Sequence, residues 1–226
     1  MVKHLIIILN VAIITACSGS GSTPSEKQNP TFSLTKLNSL AAGTIYTSNL
    51  TGSYATSSQT DSSYTGSVSV INQAQTKRND ISVTPRDLSL SLTGGGIKNS
   101  ITGTSYLDSA GNLTSVEIQK SGNTVKCTPA VPDKLPDTVK IDDSGILSTL
   151  TCDDNTKQER NWKTKDGGNG KILVTLSNTT KKQDNTVAFS TDVTYTLDSN
   201  GKIVNFKTIT TIPTNHSTLT YQSTDQ

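Results

Sequence analysis

The sequence predicts an all-β fold: an antiparallel, hairpin-rich sandwich or barrel that forms one domain. Serine and threonine dominate the composition, with 29 Ser and 37 Thr among 226 residues, and β-branched threonine suits the half-buried surface of a pleated sheet. Apolar and polar residues alternate with a period of two in segments such as 187–197, which is typical of a strand with one buried face. Turn sequences rich in Asp and Gly separate these segments and favour hairpins.

The clearest predicted hairpin lies near the C-terminus. Residues 187–197 and 203–212 both have strand patterns, and the turn sequence Asp-Ser-Asn-Gly stands between them at 198–201. In such a turn the Asp side chain accepts backbone N–H groups, and Gly takes the position with positive φ. Similar turns are present at residues 107–113, 141–147 and 166–170. These copies predict repeated hairpins, but their uneven spacing does not indicate a solenoid or a propeller.

Shorter alternating segments complete the predicted strands. They comprise residues 44–50, 64–71, 81–84, 88–92, 101–107, 113–119, 147–152, 172–176 and 218–222. Residues 32–42 are the one segment with helical spacing, since Leu34 and Leu37 would share a face with later apolar residues. Residues 128–137 contain three prolines and therefore exclude a central strand. They would divide two halves of one sheet system, and two small β domains that meet near Pro136 are the alternative.

The N-terminus has the three parts of an export signal. Lys3 supplies the positive charge, residues 5–14 form an apolar stretch, and the small Ala16 precedes Cys17. The apolar stretch has about half of the ~20 residues that a membrane-spanning helix needs. The run Ile-Thr-Ala-Cys that ends at Cys17 resembles the lipobox of bacterial lipoproteins, in which a signal peptidase cuts before the cysteine and lipid is attached to it. The resemblance implies that residues 1–16 are a signal peptide and that Cys17 carries acyl chains such as palmitate.

The same resemblance implies a location in the bacterial cell envelope. Residues 17–30 are rich in Ser and Gly and lack apolar periodicity, so we expect a flexible tether that carries a β-rich envelope domain at 31–226. Ser18 follows the cysteine, where an Asp would indicate retention in the inner membrane, so the outer membrane is favoured. The expected partners are the membrane, through the covalent lipid anchor, and another envelope protein or a surface polymer.

The charge balance argues against nucleic acid as a partner. Lys and Arg number 20 against 18 Asp and Glu, which gives a formal net charge of +2. No basic block or stripe stands out, so nucleic-acid binding has no electrostatic support. No basic amphipathic helix is present either, so the lipid anchor must provide the attachment to the membrane.

Cys127 and Cys152 remain once Cys17 is assigned to lipidation. An even pair of cysteines in an exported domain predicts a disulfide. The bridge would close a loop of about 25 residues and contribute about 3 kcal/mol to stability. The spacing fits neither a C-x-x-C redox motif nor a zinc site.

No catalytic residue, metal site or cofactor is predicted. A Ser-His-Asp triad would have to use His216, because the other histidine leaves with the signal peptide, and neither G-x-S-x-G nor H-E-x-x-H is present. Paired carboxylates would serve a glycosidase, but the candidate residues occur mostly in turns, where Asp is expected anyway. The candidates are Asp142, Asp143, Asp153, Asp154, Glu159 and Asp166.

Trp162 is the single tryptophan and has polar neighbours in the sequence. It is a candidate binding anchor, and it would equally well pack into the core beside the disulfide. The sequence therefore predicts a lipid-anchored envelope protein that acts as a non-enzymatic binding or structural module. One alternative is a carrier of an apolar ligand inside a β-barrel, and another is a carboxylate-based hydrolase.

Overall fold

The structure, a computed structural model, describes residues 30–57, 59–94, 97–120 and 122–224. These residues form fifteen β-strands and one 3₁₀ turn, Pro213–Asn215. The strands are β1 (Phe32–Ser33), β2 (Gly43–Thr56), β3 (Gln59–Asn72), β4 (Thr76–Arg78), β5 (Ile81–Gly94), β6 (Ile97–Leu107), β7 (Leu113–Lys120), β8 (Asn123–Pro129), β9 (Thr138–Val139), β10 (Ser144–Cys152), β11 (Lys157–Gly168), β12 (Lys171–Lys181), β13 (Val187–Leu197), β14 (Ile203–Ile212) and β15 (Ser217–Ser223). The predicted all-β class is confirmed.

Twelve of these strands close into an antiparallel barrel. The order around the wall is β2, β3, β5, β6, β7, β8, β10, β11, β12, β13, β14 and β15, and β15 then pairs with β2. Each barrel strand pairs with the next one along the chain, which is an up-and-down meander. The short β4 pairs with β5, while β1 and β9 form a separate two-stranded sheet. The hairpin-rich fold is therefore a barrel and not a sandwich, and it forms a single domain.

The wall turns its apolar side inward. Along β12, Ile172, Val174 and Leu176 are at most 4% exposed, whereas the residues between them are partly exposed. Along β11 the inward positions include Arg160 and Trp162, and the alternate positions are exposed polar residues. The strand period of two thus gives an inner face that forms the core and a hydrated outer face.

Alternate turns of the meander lie at opposite ends of the barrel. The turns at 108–112, 166–170 and 198–202 lie at one end, which we call the proximal end. The turns at 153–156 and 182–186 lie at the other, distal end. The two ends differ in what covers them, because two irregular segments pack at the proximal end.

The segments 30–42 and 130–141 close the proximal end. They meet in the small sheet of β1 and β9, where Phe32 pairs with Val139. Five apolar side chains from these segments are at most 3% exposed and join the main core: Phe32, Leu34, Leu37, Leu135 and Val139. Gly201 lies so close to this sheet that an added Cβ would be 2.5 Å from the carbonyl oxygen of Ser33. The three-proline segment therefore completes the core of one domain.

The predicted helix at 32–42 is wrong. The chain instead forms β1 and then one turn, in which the Asn38 N–H donates to the Leu34 carbonyl at 3.0 Å. Ser, Thr and Asn side chains in this stretch compete with helical backbone hydrogen bonds, and β9 supplies a strand partner. Leu34 and Leu37 are nevertheless buried as the spacing predicted.

Arg86 on β5 holds segment 30–42 in place. Its side chain is 2% exposed and donates to the carbonyls of Leu37 (2.7 Å) and Ser39 (2.6 Å) and to the Asn72 Oδ1 (2.7 Å). The amide nitrogen of Asn72 donates in turn to Ser39 and to Ala41. Because burial disfavours the charged form, it lowers the pKa of Arg86 to about 10.

Asp133 fixes the second segment to the wall. Its carboxylate pairs with Arg160 at 3.0 Å and accepts the backbone N–H of Ser148. The Arg160 side chain is 1% exposed, and its Nε also donates to the Ser148 carbonyl at 2.8 Å. Burial lowers the pKa of Arg160, although Asp133 acts in the opposite direction. This segment extends the wall where β8 and β10 pair over three residues only.

The predicted disulfide is confirmed. Cys127 on β8 and Cys152 on β10 are cross-strand partners and are bonded to each other. Both are buried in a second apolar cluster with residues such as Leu107 and Leu150. Gln158 lies beside the bridge, with its amide nitrogen 3.5 Å from each sulfur atom. The disulfide therefore joins the two neighbouring barrel strands that share the shortest ladder, which has three residue pairs.

Replacing Cys127 and Cys152 together with alanine is expected to lower the free energy of unfolding by about 3 kcal/mol, because the bridge restricts the unfolded chain. The loop that it closes spans 25 residues. Urea unfolding followed by tryptophan fluorescence measures the change. The reduced native protein is the control and should have the same urea midpoint as the double variant. Equal midpoints for oxidised protein and variant would contradict the prediction.

Two of the predicted Asp-Gly turns form identical hairpins. Asp108 and Asp198 each accept the backbone N–H groups two and four residues later, at 2.8–2.9 Å. The turn at 166–170 also joins paired strands, β11 and β12. The copy at 141–147 is not a hairpin, because the preceding β9 pairs with β1 and not with β10. A second repeated turn, at Asp154 and Asp184, was not predicted.

Candidate functional site

The barrel wall has a gap where its last strand ends. β15 pairs with β14 from Lys207 to Ile212 and with β2 from Leu50 to Ala55. Among the described residues, no strand fills the space between the part of β2 before Leu50 and the part of β14 before Lys207. The Ser223 hydroxyl accepts the Phe206 N–H at 3.0 Å. At the seam between β2 and β15, the Thr224 N–H donates to the Asn49 carbonyl at 3.0 Å. A groove therefore opens sideways near the proximal end.

We call this opening the lateral cleft. It has a volume of about 460 Å³, within the ~300–1,000 Å³ of typical small-molecule sites. Residues from three parts of the chain line it: Lys36, Thr44, Ile45, Tyr46, Thr47, Lys202, Ile203 and Val204. The apolar members come from β2 and β14, and the two lysines come from the turns at the proximal end.

The floor of the lateral cleft is continuous with the aromatic part of the core. The Tyr46 ring lies 6.0 Å from the Phe206 ring, which in turn lies 5.7 Å from Tyr195 and 6.1 Å from Tyr221. Such separations are typical of packed aromatic pairs. Tyrosine is neutral at physiological pH even at its usual pKa of about 10, and burial raises the pKa of Tyr195 and Tyr221 further. The aromatic groups beneath the cleft are therefore uncharged.

Two cations stand beside this apolar floor. Lys36 and Lys202 are exposed, and neither takes part in the salt bridges found among the described residues. The carboxylate of Asp198 lies in the turn of Lys202, where it accepts the backbone N–H groups of Asn200 and Lys202. The lateral cleft therefore combines apolar contact area with positive charge.

The distal half of the interior has a different character. Buried polar side chains from β11 to β14 form a layer there: Gln158, Arg160, Asn178, Thr180, Thr191, Thr208 and Thr210. In the described structure Arg160 Nη1, Asn178 Oδ1 and Thr180 Oγ1 have no hydrogen-bond partner. The adjoining cavity is about 10 Å³, which is about the space of one water molecule. This layer is too tight to hold an organic ligand.

Trp162 lies in the main core and is 6% exposed. Its ring covers its cross-strand partner Gly145, where an added Cβ would be 2.5 Å from the indole nitrogen. This contact favours the core interpretation, and a role in binding stays a prediction. No sequence signal singled out the lateral cleft, whose lining residues are ordinary members of strands and turns.

The structure does not gather the candidate carboxylates. Asp153 and Asp154 lie at the distal end, and Asp142, Asp143 and Asp166 lie at the proximal end. Most accept backbone N–H groups in turns, while Glu159 pairs with Lys181 on the outer wall at 2.6 Å. His216 is exposed beside the 3₁₀ turn. Within the described ranges, no three His, Cys, Asp or Glu residues cluster as metal ligands.

Several predictions concern residues 1–29, which lie outside the described residues. The signal peptide, the lipidation of Cys17 and the tether before Pro30 stay predictions. The part of the chain that the structure describes contains no helix long and apolar enough to cross a membrane. Comparison of the chain with protein-family models, curated proteins and solved structures gave no match.

Proposed function

We propose that this protein is a lipid-anchored, non-enzymatic binding module of the bacterial envelope, and that its ligand binds in the lateral cleft. A barrel is compatible with a binding or carrier module. The observation that supports the proposal is the opening between β2 and β14, with its apolar floor and a volume of about 460 Å³. Its size and its accessibility suit a small-molecule ligand.

A carrier role has better support if the ligand binds at the barrel wall than if it binds in the centre of the barrel. The main core fills the interior, and the apolar side chains of segments 30–42 and 130–141 complete it at the proximal end. The distal layer on β11 to β14 leaves room for about one water. An apolar ligand would therefore lie along the seam, where the core reaches the surface.

The described chain begins near the end of the barrel at which the lateral cleft opens. Lipidation of Cys17 would place the membrane within reach of residues 17–30, which span at most about 50 Å when extended. The described chain begins at Pro30 and soon enters the proximal end. The outer membrane is the proposed location. The hydrolase alternative has weaker support, because most of its carboxylates already accept backbone N–H groups or pair with a lysine.

A cleft-filling variant tests the proposal. Val204→Trp should reduce the binding of an environment-sensitive apolar dye at least tenfold, because the indole would occupy the floor of the lateral cleft. Ile146→Trp is the matched control, since Ile146 is 84% exposed on the outer wall, and it should bind the dye like the native protein. Dye titration with fluorescence detection gives both affinities. Equal binding by the native protein and Val204→Trp would overturn the proposal.

A further inference from the structure

We infer that the ligand of the lateral cleft is an anionic amphiphile with a single apolar chain. The inference rests on the proposed function and adds the chemical class of the ligand. The chain lies along Ile45, Ile203 and Val204, and the anionic head lies between Lys36 and Lys202. These five residues line one continuous opening.

The charge of the head group follows from the two lysines. Lys36 and Lys202 come from different turns, yet both border the same cleft. Neither forms a salt bridge within the described residues. A carboxylate or phosphate accepts hydrogen bonds from ammonium groups and gains from their charge, whereas a cationic head would be repelled. The carboxylate of Asp198, in the turn of Lys202, already accepts two backbone N–H groups.

The apolar chain of the ligand is inferred from the side chains that form the floor of the lateral cleft. Ile45 and Tyr46 are partly buried and pack against the main core, and Ile203 is 8% exposed. A chain placed on these side chains removes apolar surface from water, which is the main source of affinity for such a ligand. The volume of about 460 Å³ lies in the lower half of the usual range for ligand sites, ~300–1,000 Å³, and therefore favours one chain over two.

Position along the barrel indicates where the ligand is taken up. The lateral cleft opens at the proximal end, and Lys36 follows the first described residue, Pro30, by six positions. The proposed tether leaves from this same end. A ligand that partitions into the membrane would therefore reach the cleft without crossing the barrel, so the membrane is the source of the amphiphile.

Three probes of equal chain length test the inference on the mature full chain. They are dodecanoate, dodecan-1-ol and dodecyltrimethylammonium, each titrated below its aggregation concentration by displacement of a bound dye. Dodecanoate should bind at least tenfold more tightly than the alcohol, and the cation should bind most weakly. Raising the ionic strength should reduce the preference for dodecanoate, because salt screens exposed charges.

Two double lysine variants test whether the preference for dodecanoate depends on Lys36 and Lys202. Lys36→Met with Lys202→Met should reduce the preference for dodecanoate over the alcohol to less than threefold. Lys163→Met with Lys165→Met, on the exposed face of β11, is the control and should keep the native preference. Thermal unfolding confirms that each variant is folded.

The outcomes separate the two proposals. Equal affinity for the three probes, or an unchanged preference in the Lys36 and Lys202 variant, overturns the anionic ligand and leaves the binding module in place. Absence of binding by every probe and by the apolar dye overturns both proposals. Binding of dodecanoate from vesicles that contain it, lost in Val204→Trp, supports uptake from the membrane, and failure to extract it overturns that source.

Discussion

Replacing Asp133 with alanine is expected to lower the free energy of unfolding by about 3–5 kcal/mol, because it leaves a buried guanidinium without its carboxylate partner. The side chain of Arg160 is 1% exposed, and Asp133 supplies its one ion pair among the described residues. The same change removes the acceptor of the Ser148 N–H. Urea unfolding of the oxidised mature protein measures the loss.

A neighbouring exposed pair provides the control for Asp133. Glu159 precedes Arg160 on β11, points outward and pairs with Lys181, and its side chain is 55% exposed. Because exposed ion pairs contribute only about 0–1 kcal/mol, Glu159→Ala should change stability by no more than that. Removing both buried partners, with Asp133→Leu and Arg160→Met, should cost less than Asp133→Ala alone. A loss for Asp133→Ala as small as that for Glu159→Ala would refute this account.

Substitution of Arg86 by methionine should lower the free energy of unfolding by about 2–5 kcal/mol, because it leaves buried acceptors without their donor. The carbonyl of Leu37 and the amide oxygen of Asn72 lose their hydrogen bonds, while Ser39 keeps the one from Asn72. The relief of a desolvated charge offsets part of this cost. Unfolding in urea gives the magnitude.

Hydrogen exchange shows where the Arg86 substitution acts. The amides of segment 30–42 should lose protection before those of β12 and β13, because Arg86 ties that segment to the wall. Lys165→Met, on the outer face of β11, removes a cation without buried partners and should stay within about 0.5 kcal/mol of the native protein. Uniform loss of protection across the barrel would contradict a local role for Arg86.

The sequence predicts best those strands whose inward residues are apolar. β12, β13 and β14 were predicted because Val174, Leu176 and Val193 alternate with polar residues and an Asp-Gly turn joins two of the strands. β11 was missed, since two of its inward residues are Gln158 and Arg160. Gln158 contacts Cys127, which lies 31 residues earlier, and Arg160 pairs with Asp133, which lies 27 residues earlier. No local pattern therefore identifies Gln158 and Arg160 as interior residues.

The same limit explains the errors at the proximal end. The spacing of Leu34 and Leu37 fits a helix as well as a turn, and the strand partner of Phe32 is Val139, more than a hundred residues later. The lateral cleft depends on how β2 and β14 are brought together by closure of the barrel. Residues 218–222 were predicted as a strand, but which strands flank the end of β15 follows only from the topology.

The seam between β2 and β15 has a consequence for how the molecule is assembled. It joins the first and last strands of the barrel, with Leu50 opposite Ser223, so its sequence separation is nearly the length of the domain. During synthesis from the N-terminus, the edge of β2 that pairs with β15 stays unpaired until the seven residues of β15 have been made. Unpaired strand edges favour association with other chains. We therefore expect nascent or truncated molecules to associate with other chains more readily than the closed barrel does.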